Sequence, residues 1–148
     1  MHAFSDWDRI VDCLPDATIV VDKDRRIVAW NHAVEKMTGA NRKDMLGKGD
    51  QKYAVPFYGK PRPILLDLLW KDDEEIREKY PVVIKRGRAL ETEVYVPSVG
   101  QNGAKLWAKA SPLLDREGQL IGAIESVRDI TIMSEHFEFY KNVFETSG

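Results

Sequence analysis

Two blocks of strand-forming sequence at opposite ends of the chain enclose a helical middle, and this order constrains the fold most. Residues 18–22 and 26–30 are β-branched or apolar runs joined by a charged turn, which predicts a hairpin. Apolar residues alternate with polar ones over 90–96 and 105–110, and 120–128 follows a second turn, so three more antiparallel strands are expected. The sequence therefore predicts an α+β fold with a five-stranded antiparallel sheet and helices packed on one face.

Helices are expected before the first strand and between the two blocks. The side chain of Asn31 can accept a hydrogen bond from a free amide of the helix that follows it, so Asn31 is the predicted helix cap. Its replacement by alanine is expected to cost about 1 kcal/mol. A further helix is predicted to begin at Pro63. Near the N-terminus, apolar residues recur at helical spacing at Phe4, Trp7, Ile10, Val11 and Leu14.

The end of the chain carries an apolar pattern of its own. Apolar residues recur there at intervals of 4, 3 and 4 residues, which is the stagger of a coiled-coil seam. They are Met133, Phe137, Tyr140 and Phe144. Because two heptads do not establish a coiled coil, a helix that folds back onto its own domain remains an alternative. We divide the chain into an N-terminal flanking helix (1–15), a central domain (16–131) and a C-terminal signalling or linker helix (132–148).

Composition limits the classes of function. The chain has 148 residues and a formal net charge of −2, which suits one domain with no general attraction to nucleic acid or to an anionic membrane. The single cysteine, Cys13, excludes an internal disulfide framework and a zinc site of several cysteines. No apolar run is long enough to span a membrane. We expect a cytoplasmic location, although a longer parent protein could be membrane-anchored.

Several segments resemble the PAS family of sensory domains. Residues 16–39 run through strand, charged turn and strand into a capped helix, residues 44–48 follow shortly, and residues 118–131 end in Asp-Ile-Thr. The resemblance covers residues 5–131. The middle segment 53–66 resembles an insert found in PAS modules of multidomain prokaryotic sensor kinases. The resemblance implies a PAS-like fold and a domain that senses and relays a signal without being an enzyme.

The resemblance also implies a cavity between the sheet and the helices. The candidate pocket residues, assigned to the inner face by alternation, lie on the central helix and on three strands. They are Ile64, Leu65, Leu68, Thr92, Leu106, Ala108, Ala110, Gly122, Ile124 and Ser126. Some of them are small, which leaves room either for a ligand or for a bulky neighbour such as Trp70 or Phe57, and both alternatives stay open. Polar anchors for a ligand could come from Thr92, Ser126 and Arg62.

A relay of the signal is expected where the last strand meets the exit helix. Thr131 is the predicted N-cap of that helix, and Asp129 can pair with a basic residue near the first hairpin. Arg25 and Arg26 are the candidates for this pair. A change in the cavity or in a dimer interface would then pass through the last strand to the C-terminal helix.

Cofactor chemistry is judged from the residues that it needs. Haem-binding relatives use a histidine on the helices that face the sheet, but none of the three histidines lies between residues 33 and 135. Light-sensing relatives need a cysteine for the flavin adduct, and Cys13 precedes the first strand. Haem and flavin-adduct chemistry are therefore not expected, whereas an unidentified small-molecule ligand is possible. The acidic run 72–75 indicates a solvated helix face, and no metal site is expected.

The expected function is that of a sensory domain, not an enzyme. It would bind a small molecule or a partner and relay its state through the C-terminal helix to an effector, such as a histidine kinase in the parent protein. A homodimer is expected, with no contact of this segment to nucleic acid or membrane. One alternative is a ligand-free PAS module for dimerisation or docking, which an empty cavity and tight self-association would favour. Another is a small enzyme, which a cluster of titratable side chains in the cleft would favour.

Overall fold

The computed structural model describes the backbone of residues 2–132 and the side chains of residues 6–132. Within this part of the chain the helices are α1 (His2–Asp12), α2 (His32–Thr38), α3 (Arg42–Met45), α4 (Val55–Tyr58) and α5 (Glu74–Arg77), with 3₁₀ helices at Lys52–Ala54 and Leu65–Leu69. The strands are β1 (Ala17–Asp22), β2 (Ile27–Trp30), β3 (Val83–Arg86), β4 (Ala89–Val96), β5 (Ala104–Leu114) and β6 (Leu120–Asp129).

The described strands form one antiparallel sheet in the order β2-β1-β6-β5-β4-β3. The predicted number of five strands is wrong, because the prediction missed the edge strand β3. This strand pairs with β4 from Val83 opposite Thr92 to Arg86 opposite Ala89. Its side chains are mostly exposed, so the sequence shows neither the alternation nor the buried apolar run that marks a strand.

Apolar cores lie on both faces of the sheet. The main core lies between the sheet and the middle helical segments, and we call this side the inner face; Trp30, Tyr53 and Leu66 are fully buried there. The smaller core lies on the outer face. It consists of Val11 of α1 with Val20, Val28 and Ala29, and Leu113 and Ile124 pack against it. The central strand β1 is therefore covered on both faces, as its continuous apolar run indicates.

Helix α1 is attached to the following helices by ion pairs of Arg42. The guanidinium of Arg42 contacts the carboxylates of Asp8 and Asp12 of α1 at 2.9 Å each, and that of Glu35 of α2 at 3.5 Å. The backbone N–H of His32 also donates to Asp12 at 2.8 Å. Partial burial opposes the ionisation of Asp12, but the His32 amide and Arg42 outweigh it and lower the pKa of Asp12. These contacts hold α1 against the start of α2 and α3.

Candidate ligand site on the inner face of the sheet

Most of the predicted pocket residues lie on the inner face. Leu65, Leu68 and Ala110 are buried in the main core, and the hydroxyl of buried Thr92 donates to the carbonyl of Val82 at 2.5 Å. Ile64, Leu106 and Ala108 line a small cavity. The cavity walls consist of Phe57, Tyr58, Ile64, Tyr80, Val94, Leu106, Ala108, Glu125 and Val127.

The inward assignment of Gly122, Ile124 and Ser126 on β6 is wrong by one residue. In the sheet, Glu125 is paired with Ile19 of β1 and with Ala110 of β5, and both of these belong to the main core. Ile124 instead packs in the outer core. A shift of one residue moves every side chain of a strand to the other face, so Ala123, Glu125 and Val127 face inward.

A close approach of two strands explains why residue 122 is glycine. A Cβ atom at Gly122 would lie 2.4 Å from the carbonyl oxygen of Val21 on β1, which is too close for any side chain. The absence of a side chain there therefore belongs to strand packing and leaves no space for a ligand.

The cavity is small and its walls are mostly apolar. The room open to the centres of water-sized molecules is about 20 Å³, against roughly 10–15 Å³ for a single water. Phe57, Tyr58 and Tyr80 line the same cavity as the small residue Ala108. Arg62 lies beside the site, with its guanidinium 3.8 Å from the centre of the Tyr58 ring and its Nε donating to the Pro63 carbonyl at 3.1 Å.

The buried carboxyl group of Glu125 is the feature that the sequence analysis missed. Glu125 is 5% exposed, and its Oε1 accepts a hydrogen bond from the backbone N–H of Leu66 at 2.9 Å. Burial raises the pKa of Glu125 to about 8, the Leu66 amide lowers it, and the nearby charge of Asp67 raises it further. A glutamate in an alternating strand ordinarily indicates the exposed face, so the only available signal pointed the wrong way.

A second buried carboxylate, that of Asp67, belongs to the 3₁₀ helix Leu65–Leu69 itself and connects this helix to other segments. Asp67 is 2% exposed and accepts hydrogen bonds from Tyr53 Oη at 2.7 Å, from the Ile64 amide at 2.8 Å and from the Arg25 guanidinium at 2.8 Å. Arg25 lies in the β1–β2 turn with a φ of 59°. Adjacent residues of this 3₁₀ helix are therefore bonded to β6 and to the first hairpin.

We expect Glu125→Gln to remove a pH dependence of stability. The pKa of Glu125 is about 8 in the folded chain, against an ordinary value of 4.5. The unfolded chain therefore loses this proton first as the pH rises, and stability falls between these two values by roughly a few kcal/mol. Glutamine stays neutral and can still accept from Leu66, so the variant should match the parent near pH 5 and exceed it near pH 8.

Urea denaturation at the two pH values measures this difference. The matched control is Glu93→Gln on β4, because Glu93 is exposed and its ion pair with Lys105 spans 3.6 Å. The control should change stability little at either pH. Equal pH slopes for the parent and Glu125→Gln would contradict the buried position of this carboxyl group.

The predicted pair of Asp129 with Arg25 or Arg26 is wrong. Strands β1 and β6 run antiparallel with Ala17 opposite Val127, so the hairpin turn lies at the far end of β6 from Asp129. Arg25 contacts Asp67 instead, and Arg26 donates to the carbonyl of Gly47 at 3.4 Å.

Asp129 makes a local turn at the end of the sheet. Its Oδ1 accepts from the backbone N–H of Thr131 at 3.0 Å and from the Thr131 hydroxyl at 2.6 Å. The Thr131 hydroxyl oxygen in turn accepts from the Lys105 amide of β5 at 2.9 Å. We call residues 129–131 the exit turn. The amides that Thr131 would cap and the apolar seam of 133–144 lie outside the described residues, so these two predictions are not tested.

Comparisons with known proteins identify the family. A family model described as the PAS fold matches residues 11–135. The solved PAS domain of BvgS from Bordetella pertussis is similar at a TM-score of 0.63 with 21% identity, and the similarity covers 99% of both chains. A comparison with curated proteins finds no match. Within the described part of the chain, no helix is both long and apolar enough to cross a membrane.

Two longer solved proteins contain a similar unit. The histidine kinase ThkA, in complex with the response regulator TrrA, is similar at a TM-score of 0.57 with 21% identity over 93% of this chain and 35% of the kinase chain. VqmA of Vibrio cholera, in a complex with ligand and DNA, is similar at 0.52 with 16% identity over 86% of this chain and 51% of its own. These similarities concern the fold alone. With its antiparallel sheet, its inner-face helices and the family match over 11–135, the chain belongs to the PAS family.

Proposed function

We propose that this PAS domain is a sensory module that binds a small molecule on its inner face and relays its state through β6 to the C-terminal helix. The observation that carries the proposal is the position of Glu125. Its carboxyl group lines the cavity, while its backbone belongs to the strand that leads directly to the exit turn. Strand β6 therefore contributes to the wall of the proposed ligand site and also leads to the exit turn.

The proposed relay depends on the hydrogen bonds of Glu125 and of Asp129, which lie at the two ends of the path along β6. A ligand that engages the Glu125 carboxyl competes with the Leu66 amide and changes how the 3₁₀ helix Leu65–Leu69 is held against β6. Asp129 lies four residues further along the strand and closes the exit turn. A small displacement of β6 would thus change the geometry at which residues after Thr131 leave the sheet.

The comparisons support an output of this kind. One similar unit occurs in a histidine kinase bound to its response regulator, and another in a protein bound to a ligand and DNA. We propose an effector domain such as a histidine kinase in the parent protein, and a homodimer formed through 132–148. We propose neither enzymatic activity nor haem or flavin-adduct chemistry: within the described residues, Glu125 is the only carboxyl that lines the cavity, and no histidine or cysteine lines it.

A second function is favoured by the size of the cavity. With room for little more than one water, the inner face could be a packed core, and the domain would then serve for dimerisation or docking without a ligand. The two functions differ in whether the purified chain carries a small molecule.

Native mass spectrometry of the purified chain distinguishes them, because it reports bound small molecules and subunit number together. We expect a small-molecule adduct in the parent and its loss in Ala108→Leu, since leucine fills the cavity that Ala108 lines. The control is Lys109→Leu, on the opposite face of the same strand. A tight dimer with no adduct would favour the docking module instead.

Asp129→Ala tests the relay. Loss of the two bonds to Thr131 should lower the free energy of unfolding by less than about 1 kcal/mol, because Asp129 is exposed. We expect the dimer dissociation constant and the basal output of the parent protein to change, because the exit turn opens. Asp115→Ala is the control: Asp115 closes a similar turn, bonding the Glu117 and Gln119 amides, at the other end of β6. The control should leave dimer affinity and output unchanged. If Asp129→Ala leaves them unchanged too, the relay does not run through Asp129.

A further inference from the structure

We propose that the ligand of the inner-face cavity is a small organic ammonium ion, a primary amine on a short apolar stem, with the carboxylate of Glu125 as its counterion. This inference rests on the function proposed above and names the chemical class of the ligand.

The first support is a buried acid with unused hydrogen-bonding capacity. Glu125 is 95% buried, and among the described residues the Leu66 amide is its one hydrogen-bond donor, at Oε1. A carboxylate can accept about four hydrogen bonds. The remaining capacity faces the cavity, whose wall Glu125 forms.

The second support is that no cation of the described residues forms an ion pair with Glu125. The ion pairs of the described residues do not include Glu125. Arg25 of the first hairpin is paired with Asp67 at 2.8 Å. Arg62 stacks on the Tyr58 ring and forms no ion pair with Glu125; its Nη2 atom is buried without a hydrogen-bond partner, and its charge acts to lower the pKa of Tyr58 and Tyr80, against the larger effect of burial. A buried carboxyl group in this situation is either protonated or neutralised by a cation that enters from outside.

The third support is the composition of the walls. Phe57, Tyr58 and Tyr80 contribute aromatic rings, and Ile64 and Val94 contribute aliphatic groups. Aromatic rings attract cations through their negative faces, and the tyrosine hydroxyls can accept hydrogen bonds from an ammonium group. The pKa of Tyr80 is raised by burial and by the neighbouring charge of Glu125, so its hydroxyl stays neutral. Once Glu125 is ionised, its charge would repel an anionic ligand.

The size of the cavity limits the stem of the ligand. Room for the centre of one or two water-sized molecules accommodates an ammonium group with a single methyl group. Each further methylene requires side chains of the cavity wall to move. The affinity should therefore decrease from methylammonium to longer alkylammonium ions in the chain as it folds without ligand.

Binding should release a proton. Since the pKa of Glu125 is raised to about 8, the empty site holds a neutral carboxylic acid at pH 7. An ammonium ion favours the carboxylate, so the carboxyl proton passes to the buffer as the ion pair forms. At pH 9 the carboxylate is already ionised, and no proton is released.

The test is a titration with methylammonium chloride, followed by the ¹⁵N–¹H signal of Leu66, because this amide bonds the proposed counterion. Methanol and sodium acetate are the neutral and anionic comparison probes, and potassium chloride controls for ionic strength. Calorimetry at pH 7 in two buffers of different ionisation enthalpy counts the released proton. We expect saturable shifts with methylammonium alone, up to about one proton released, and an affinity at least about tenfold lower in Glu125→Gln. The control Glu93→Gln should bind like the parent.

The outcomes separate this inference from the proposed function. Saturation by methanol or acetate, unchanged affinity in Glu125→Gln, or no response to methylammonium each overturn the ammonium ligand. If native mass spectrometry then shows a neutral or anionic molecule that Ala108→Leu excludes, the sensory function stands with another ligand class. If it shows no molecule at all, the proposed function fails as well.

Discussion

Asp67→Ala will lower the free energy of unfolding by about 3–5 kcal/mol, because it removes one partner of a buried charged network. The carboxylate is 2% exposed and accepts three hydrogen bonds, from Tyr53, Ile64 and Arg25. Tyr53 is fully buried, so its hydroxyl loses its partner in a place that water does not readily reach. The Arg25 side chain is 40% exposed and can turn to solvent at little cost.

Urea denaturation with two further variants separates the contributions. Asp67→Asn keeps an acceptor of similar shape and should cost less than Asp67→Ala. Arg25→Gly removes the ion pair but relieves a left-handed backbone at a φ of 59°, and leaves the bonds from Tyr53 and Ile64 in place. We therefore expect it to cost roughly 1 kcal/mol. An equal loss in Arg25→Gly and Asp67→Ala would show that the ion pair, rather than the buried bonds, stabilises this region.

Asn31→Ala will cost about 3–4 kcal/mol, well above the amount for a helix cap alone. Its Oδ1 accepts from the amides of Val34 at 3.1 Å and Thr18 at 2.9 Å, and its Nδ2 donates to the carbonyls of Val11 and Asp16 at 2.9 Å each. Asn31 is fully buried, so alanine would leave the amides of Val34 and Thr18 without an acceptor, whereas the carbonyls of Val11 and Asp16 would keep their bonds from the Leu14 amide and the Thr18 hydroxyl. The side chain joins α1, β1 and α2 at one point.

Thermal and urea denaturation of a matched pair test this value. Asn41→Ala is the control, because Asn41 occupies the N-cap position of α3 without a side-chain bond to the helix. We expect this control to stay within about 0.5 kcal/mol of the parent. A loss of only about 1 kcal/mol in Asn31→Ala would mean that the Asn31 bonds to α1 and β1 add nothing to its capping bond.

The sequence was sufficient for features that depend on local pattern. Asn31 caps α2, β1 and β2 form a hairpin, and the alternation over 90–96 gives the inward face of β4, because each depends on neighbours within a few residues. For the same reason, the cost expected from the sequence for the loss of Asn31 is lower than the cost expected from the structure. Two of its four bonds reach residues 11 and 16, and no local pattern reports a bond across 15 or 20 positions.

Features that depend on the partner strand could not be predicted. The phase of β6 is set by its pairing with β1 and β5, and the phase that these pairings select buries Glu125. The short edge strand β3 is defined by hydrogen bonds to β4 and not by apolar side chains. The position of Asp129 relative to Arg25 likewise depends on which ends of two antiparallel strands meet.

The arrangement of Leu66 and Asp67 has a mechanical consequence. Neighbouring residues of one short helix are fastened to different parts of the sheet, Leu66 to β6 through Glu125 and Asp67 to the first hairpin through Arg25. If the bond between Leu66 and Glu125 is broken, Asp67 still connects the helix to the first hairpin. The position of Leu66 relative to β6 would then depend on what is bonded to the carboxyl group of Glu125, while Asp67 stays attached to the first hairpin.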